Sequence, residues 1–254
     1  MGLDPDLVEQ LAAEPIELYA EAELELLAEV ARRLGGDLEL PDWAERKLAG
    51  LTALRAQAQA TLERLGRAGE EAARRALARA YQAGGQSALS EVARLSSPRS
   101  RRGRRDLAAV SPDVPGAGAL ARLVAELVAG LRGLRAPILR AVEDAYRDVV
   151  ARASAPVLLG TGTRRTAVRR ALEEFARRGV TGFRDRRGRA WDLASYTETA
   201  LRTATARAAV AGHLDRLAQA GEDLVIVSDV PGECGRCRPW EGAVLSISGR
   251  DRGN

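Results

Sequence analysis

The sequence predicts a mainly α protein, with an extended helical N-terminal region and a small C-terminal α+β unit that contains β-hairpins. Two features of the composition point to this fold class. Alanine, the strongest helix former, occupies 48 of the 254 positions, whereas aromatic residues make up only 4%. Aromatic side chains supply the largest single burials in a protein core, so their scarcity argues against a compact sandwich or barrel. Long helices with closely packed seams are therefore expected.

Charge is unevenly distributed along the chain. The net charge is +4, and 38 of the 39 basic residues are arginine. Residues 1–50 carry 13 acidic and 4 basic side chains, whereas the remaining residues carry 22 acidic and 35 basic ones. We expect the two parts to meet different partners, or to use different surfaces.

Several protein classes are disfavoured by the sequence. No stretch approaches the roughly 18 uncharged apolar residues of a membrane helix. The N-terminus carries Asp4, Asp6 and Glu9 instead of the basic start of a signal peptide, and an aspartate at position 6 does not fit a myristoylation signal. Two cysteines do not make a disulfide framework. A soluble protein made in a reducing cytoplasm is expected, with no membrane partner.

Residues 1–97 are predicted to be a helical region, either a bundle or a coiled pair. Asp4-Pro5 opens a short run, and a separate helix is expected from Pro15 to Leu34, where apolar residues recur every three or four positions. Glutamates lie in its first turns and arginines in its last turn, as the helix dipole favours.

A second helical stretch is predicted to open at Pro41-Asp42-Trp43. Asp42 and Glu45 have the spacing of a capping box. A heptad-like apolar seam follows and resumes after Gly66 and Gly69. This seam is the basis for expecting a coiled coil.

Residues 98–118 are predicted to be a basic, flexible linker between proline- and serine-rich ends. Five arginines fall within seven positions: Arg99, Arg101, Arg102, Arg104 and Arg105. They are candidates for contact with the phosphate backbone of nucleic acid, without base reading. No aromatic residue is interleaved, so stacking on single strands is not indicated. The alternative is a solvated face produced by an arginine-favouring codon bias.

Residues 119–160 are predicted to form one long helix, bent by Gly130, Gly133 and Pro137. Its leucine and valine seam is the longest in the chain.

The last segment, residues 161–254, is predicted to be an α+β domain. A short helix should end at Gly179, and Thr181 to Leu193 should form a hairpin around Arg186-Arg187-Gly188. A further helix is expected from Ser195 to Ala220. It should be followed by two strands, Leu224–Val227 and Val244–Ile247.

Cys234 and Cys237, between those strands, form the sharpest local motif. Two thiolates at this spacing make half of a tetrahedral zinc site, but the sequence has no third cysteine, and its one histidine, His213, lies in a helix. A redox pair would need a helix after Cys237, which Pro239 and Gly242 disfavour. The third interpretation is a turn whose two cysteines are free, or bridged once exposed to an oxidant. We leave these alternatives open.

Other polar residues favour structural interpretations. Glu198 and Arg202 have the spacing of an i,i+4 ion pair, and His213 is expected at a surface or boundary position. Gly160-Thr161-Gly162-Thr163 lacks the lysine of a phosphate-binding loop and is expected to be a helix cap. Two more arginine groups either neutralise phosphates or form solvated faces: Arg164, Arg165, Arg169, Arg170, and Arg184, Arg186, Arg187, Arg189. No catalytic set is indicated.

The C-terminal third carries a specific pattern of residues. The pattern comprises Trp191, Tyr196, Arg202, Thr203, Trp240, Glu241 and Gly242, with Gly221 to Asp229 between them. Its most distinctive part is the Trp-Glu-Gly box that follows Cys234-x-x-Cys237. In this pattern, and in Trp43 to Leu48 of the helical region, the chain resembles the phage minor capsid protein 2 family. It is more distantly similar to Mu-type, portal-associated head morphogenesis proteins.

The resemblance implies a minor component of a phage or prophage head, present in few copies in the virion and in the host cytoplasm during assembly. Implied partners are the portal protein, other capsid or scaffold proteins and packaged double-stranded DNA, with oligomerisation an option. It implies roles in head assembly and in DNA packaging or delivery, and no enzymatic activity. No cofactor is expected, with zinc at Cys234 and Cys237 left as an option.

The sequence departs from its relatives in two places. Related chains continue into a segment with histidine and cysteine that could complete a metal site. Either that site is absent here or its remainder lies outside the 254 residues. Ala204 stands where the Mu-type relatives tend to carry an acidic residue, so a polar role for that helix is not carried over.

Two functions of other classes remain as alternatives. One is a zinc- or thiol-dependent protein centred on Cys234 and Cys237. The other is a DNA-binding protein without sequence specificity.

Overall fold

A computed structural model describes residues 5–95, 117–178, 183–184, 189–229, 232 and 234–250. It confirms a mainly helical chain with two small hairpins in its C-terminal third. The helices are α1 (Pro5–Gly35), α2 (Trp43–Ala49), α3 (Leu51–Leu95), α4 (Ala117–Gly133), α5 (Arg135–Leu158), α6 (Arg164–Arg178) and α7 (Leu193–Gln219). In the residues so described, no helix combines the length and apolar character that a membrane span requires.

Helix α1 is continuous through Pro15, so the expectation of two separate helices is wrong. A proline inside a helix removes a backbone hydrogen bond and costs about 3 kcal/mol. Here the ring of Pro15 lies on the buried face of α1, at helical spacing from Ala12 and Tyr19, which are also buried. This burial offsets the lost hydrogen bond.

The capping box predicted at Asp42 does not form. Asp42 precedes α2, but its side chain makes no cap hydrogen bond; instead, its carboxylate accepts a 2.7 Å bond from Arg46. Helix α2 ends after two turns at Gly50. Helix α3 then runs for 45 residues without a break at Gly66 or Gly69, because leucine, alanine and arginine supply strong helix propensity on both sides.

The long helix predicted over 119–160 is divided into α4 and α5 at Leu134. Pro137 is the cause, because it has no N–H group to donate to the carbonyl of Gly133. Leu134 closes a tighter turn, and its N–H donates to the carbonyl of Leu131 at 3.2 Å. Pro137 itself lies in the first turn of α5, where a missing donor costs little.

The paired strands of both predicted hairpins are present, whereas the turn predicted at Arg186-Arg187-Gly188 lies outside the described residues. Strand β1 (Phe183–Arg184) pairs antiparallel with β2 (Ala190–Trp191). Strand β3 (Leu224–Ile226) pairs antiparallel with β4 (Val244–Ser246), with Val225 opposite Leu245.

The described residues group into two compact units. The terminal unit takes its residues from Met1–Leu11, Arg75–Val124 and Thr203–Asn254, and the middle unit from Ala12–Arg74 and Ala125–Arg202. The two units are defined by which residues pack together, whereas the boundaries expected at 97, 118 and 160 were inferred from changes in composition. The division at those boundaries stays a prediction.

The core of the middle unit is built from large side chains. Trp43 is fully buried, and its indole N–H donates to the carbonyl of Gly36 at 3.1 Å. The Tyr146 hydroxyl donates to the carbonyl of Lys47 at 3.2 Å. Ion pairs join the helices around this core, including Arg64 to Glu25, Arg132 to Glu70, Arg55 to Glu143 and Arg152 to Glu174.

The terminal unit depends on a close contact between the backbones of α3 and α7. A β-carbon on Gly84 would overlap the carbonyl oxygen of Ala209, and one on Gly212 would overlap the carbonyl oxygen of Tyr81. Each glycine therefore lies against the backbone of the other helix, and only a residue without a side chain fits at these two positions. Next to it lies an apolar cluster formed by Ala88, Val92, Leu217 and Ala220.

Candidate functional site

The candidate site is the cysteine hairpin, which comprises β3, β4 and the turn between them. Backbone bonds close the turn at its base: the N–H of Val227 donates to the carbonyl of Ala243 at 2.9 Å, and that of Gly242 donates to Val227 at 3.0 Å. The inner face of the hairpin packs through Val225 and Ile247 on the apolar cluster of the terminal unit. Helices α3 and α7 therefore hold the hairpin from one side.

The cysteine motif folds into a tight turn. The carbonyl of Cys234 accepts the N–H groups of Cys237 at 2.9 Å and of Arg238 at 3.1 Å. A single 3-10 turn follows, Arg238–Trp240, with Pro239 near its start. This agrees with the expectation that no regular helix begins after Cys237.

The two thiols of the motif lie side by side at the surface. Their Sγ atoms are 3.6 Å apart, and both residues are exposed. Backbone N–H groups of Arg236 and Cys237 point at the sulfur of Cys234 and lower its pKa below the ordinary thiol value. The loop thus favours the thiolate, which is the form that binds metals and attacks disulfides.

The pair fits one edge of a zinc site but does not complete it. Two thiolates bound tetrahedrally at about 2.3 Å from zinc would lie about 3.8 Å apart, close to the observed separation. Among the described residues, no group of three or more His, Cys, Asp or Glu could hold a metal ion. His213 instead lies 3.5 Å from the carboxylate of Glu91. The described residues supply half a site, and zinc binding stays a prediction.

The Trp-Glu-Gly box returns the chain from the cysteine turn to β4. The N–H of Trp240 donates to Cys237 at 2.8 Å, and the N–H of Ala243 donates back to Trp240 at 3.0 Å. Gly242 has φ +71°, a left-handed conformation that glycine adopts most easily. Trp240 is 58% exposed. Backbone geometry therefore accounts for the glycine, whereas the exposed tryptophan has no role in the described core.

The carboxylate of Asp223, which the sequence did not single out, stabilises the base of the hairpin. Asp223 accepts hydrogen bonds from the Ser246 hydroxyl at 2.7 Å, the Ser248 N–H at 2.8 Å and the Ser248 hydroxyl at 3.0 Å. These donors lower the pKa of Asp223. The alternation of Ser246 and Ser248 around Ile247 placed both hydroxyls on one side of the strand, and that spacing was the available signal.

Trp191 and Tyr196, from the family pattern, belong to the middle unit. Their rings meet edge to face with centroids 5.7 Å apart, and the guanidinium of Arg189 lies 5.2 Å from the Trp191 ring centre. Asp192 caps α7 by accepting the N–H of Ser195 at 2.7 Å, while Glu23 of α1 accepts the N–H of Ala194 at 2.9 Å. These residues fix the start of α7.

The remaining polar residues of α7 have structural contacts. Arg202 pairs with Glu198 at 2.9 Å, as the i,i+4 spacing predicted, and Thr203 is exposed. The His213 side chain is 18% exposed, which is the expected boundary position. The Tyr81 hydroxyl of α3 donates to the Asp215 carboxylate, a contact the sequence did not predict.

The arginine groups named from the sequence lie in different environments. Arg99, Arg101, Arg102, Arg104 and Arg105 lie outside the described residues, as do Arg186 and Arg187. Arg164 is structural: it donates to the carbonyls of Leu38 and Leu40 at 2.5 and 2.8 Å, and it lies 5.2 Å from the ring centre of Trp43. Arg165, Arg169 and Arg170 are exposed.

The segment Gly160 to Thr163 is a helix cap, as expected. The hydroxyl of Thr163 accepts the N–H of Thr166 at 3.2 Å, which satisfies a donor in the first turn of α6.

The fold and the site define a helix-rich protein with a small dithiol hairpin in its C-terminal third. The sequence profile of the phage minor capsid protein 2 family matches residues 3–254. The chain belongs to this family and is therefore a phage structural protein. No curated protein and no solved structure matches it significantly.

Proposed function

We propose that this protein is a structural component of a phage or prophage head, associated with the portal, that acts in head assembly and in DNA packaging or delivery. The observation that carries the proposal is the family match over nearly the whole chain, which includes both the helical region and the cysteine hairpin. We propose no catalytic role for it.

The charge distribution supports a protein with more than one partner surface. The first 50 residues have an excess of acidic side chains, and the remaining residues an excess of arginine. Many arginines are engaged in ion pairs between helices of the middle unit, including Arg55, Arg132 and Arg152. The excess of arginine in the remaining residues suits an acidic partner or DNA phosphates.

Copurification tests the portal association. The full chain, carrying an affinity tag, is co-expressed with the portal protein of the same genome, and the complex is isolated by affinity and size-exclusion chromatography. A stable complex at physiological salt is expected, and a tagged unrelated helical protein is the control. Recovery of the portal protein no greater than with the control would contradict the association.

A second candidate function is contact with the DNA backbone, which the arginine-rich segment at residues 99–105 favours. Binding of the full chain to duplex DNA should weaken with salt, with a log–log slope of about −0.9 per neutralised phosphate. Replacing the five arginines of this segment with glutamine should flatten the slope, whereas Arg122→Gln with Arg140→Gln, two exposed arginines outside every candidate group, serves as a control. An unchanged slope in the five-arginine variant would argue against this function.

A third candidate is zinc or thiol chemistry at Cys234 and Cys237, which the 3.6 Å separation of the sulfurs favours. Elemental analysis of the purified full chain measures bound zinc, and Cys234→Ser with Cys237→Ser is the matched variant. Zinc that is present in the wild type and lost in the variant would support a metal site. Equal, negligible zinc in both, together with unchanged head assembly by the variant, would exclude this candidate.

A further inference from the structure

The turn between α5 and α6 exposes an unusual group of apolar side chains. Val157 is 40% exposed, Leu158 is 86% exposed and Leu159 is 74% exposed, and the residues up to Thr163 are also exposed. We call Val157, Leu158 and Leu159 the apolar tip. Single exposed leucines are ordinary on protein surfaces, but three consecutive apolar residues at a helix end form a contiguous patch.

Helix α6 carries a basic face next to the apolar tip. Arg165, Arg169 and Arg170 are exposed, and in the described part of the chain Arg170 has no ion-pair partner. Arg165 is 3.5 Å from Glu39 and Arg169 is 3.8 Å from Glu173, and all four side chains are largely in solvent. Such exposed ion pairs contribute little to stability, so Arg165 and Arg169 can exchange them for another partner.

Helix α1 carries a face of opposite charge. Glu17 and Glu21 are exposed one helical turn apart, and neither forms an ion pair within the residues described. Leu24, less than one turn further on, is 65% exposed. The face therefore presents two carboxylates and then an apolar side chain along one stripe of the helix.

We propose that the apolar tip and the basic face of α6 in one copy dock on the α1 face of a second copy, with the two helices antiparallel. Arg165 and Arg169 have the same four-residue spacing as Glu21 and Glu17, about 6 Å along each axis. In this arrangement Arg165 lies opposite Glu21, and Arg169 lies opposite Glu17. The apolar tip, which precedes Arg165 in the chain, then lies on the same side as Leu24, which follows Glu21.

Charge complementarity identifies the second copy as the occupant. Helix α6 contains six arginines and two glutamates, whereas residues 1–50 contain 13 acidic and 4 basic residues. Both faces belong to the middle unit, and no ion pair between them is found within one copy among the described residues. Each copy therefore offers both halves of the contact. Used in one direction, such a contact is heterologous and produces a ring or an open chain of copies, whereas used in both directions about a two-fold axis it closes a dimer.

Analytical ultracentrifugation of the full chain over a concentration series tests the proposal. Reversible self-association is expected, weakening at least about tenfold between about 0.05 M and about 0.5 M salt. Reversal of one face, by Glu17→Arg with Glu21→Arg or by Arg165→Glu with Arg169→Glu, should weaken it at least about tenfold. Mixing the two variants should restore association to within about threefold of the wild type, because each then meets an opposite charge on the other.

Matched controls reverse exposed charges outside both faces. Glu126→Arg and Arg140→Glu should leave the association constant within about twofold of the wild type. Leu158→Ser with Leu159→Ser should weaken association without changing its salt dependence, and far-ultraviolet circular dichroism checks that every variant remains helical. A monomeric wild type, reversal variants that associate normally, or a mixture that fails to recover would overturn the proposal.

Discussion

The two compact units are packed by opposite means. The middle unit surrounds large buried side chains, such as Trp43, Tyr146 and Leu26, and adds ion pairs between its helices. The terminal unit brings two helix backbones into contact at Gly84 and Gly212 and fills the surroundings with alanine. Removing side-chain volume should therefore harm the middle unit most, whereas adding volume should harm the terminal unit most.

This difference also explains how a chain with so few aromatic residues builds two units. A large ring buries more area than any other side chain, and the middle unit holds Tyr19, Trp43 and Tyr146 in its core. The terminal unit buries one ring, that of Tyr81, and otherwise relies on close packing of small residues, in which each atom has many neighbours at short distance.

Trp43→Ala should have the largest effect. It removes a fully buried indole, its hydrogen bond to Gly36 and the surface on which Arg164 stacks. Loss of a buried tryptophan costs about 3–5 kcal/mol. Urea denaturation followed by circular dichroism measures the change. The control is Trp240→Ala, which removes an exposed indole and should cost less than about 1 kcal/mol. Similar costs for the two variants would contradict the contrast.

Gly84→Ala should destabilise the terminal unit by about 3 kcal/mol, the upper end of the cost of overpacking. The added methyl group would overlap the carbonyl of Ala209, a backbone group that cannot move without separating the helices. Gly85→Ala is the adjacent control, since its methyl would be 3.6 Å from the nearest atoms and would add helix propensity. The same denaturation experiment compares them. A tolerated Gly84→Ala would show that the backbones are not in contact.

Alkaline pH should weaken the middle unit through Tyr19. Burial, with a smaller effect of the Glu70 carboxylate, raises the pKa of Tyr19 to about 12, although Arg135 acts in the opposite direction. Because the unfolded chain loses this proton near pH 10, the contribution is complete below about pH 10 and is lost as pH rises towards about 12. Roughly 2 kcal/mol should be lost by about pH 11.5.

Tyr19→Phe should remove the part of the alkaline loss of stability that is due to ionisation of Tyr19. Denaturation midpoints of the two proteins as a function of pH provide the comparison, and absorbance near 295 nm follows tyrosine ionisation. An unchanged pH profile in the variant would show that Tyr19 ionises as readily in the folded protein as in the unfolded chain.

Acid should loosen the cysteine hairpin of the terminal unit before its helices. Hydrogen bonds from Ser246 and Ser248 lower the pKa of Asp223. The carboxylate therefore contributes stability above the ordinary aspartate pKa of about 3.9, and this contribution is lost as pH falls through the lower folded value. Amide exchange at Ser248 and across β3 and β4 measures the loosening. Asp223→Asn should make exchange fast already at neutral pH; slow exchange in this variant would show that Asp223 does not stabilise the hairpin.

Local sequence patterns predicted the elements better than their boundaries. The helical spacing of apolar residues and the strand-like run Leu224–Val227 were enough to predict α7 and the second hairpin. Pro15 was wrongly expected to separate two helices, because a proline on a buried face is retained by packing that the local sequence does not describe. The break at Leu134 was close to the predicted bend, since Pro137 removes a specific donor.

Contacts between distant residues could not be predicted from the sequence. The carboxylate of Asp223 meets Ser246 and Ser248 only after β3 pairs with β4, and Arg164 meets Leu38 only after α6 packs near the loop before α2. Gly84 and Gly212 are separated by 128 positions in the numbering, so their contact left no local pattern. The tight turn at Cys234 was foreseeable, because Pro239 and Gly242 act on their immediate neighbours.

The most direct test of the proposed function is quantitative mass spectrometry of purified phage heads, with heads assembled without the portal protein as the comparison. We expect the chain to be present in complete heads, in far fewer copies than the major capsid protein, and to be depleted from portal-less heads. Absence from complete heads, or equal amounts in both preparations, would contradict a portal-associated role in the head.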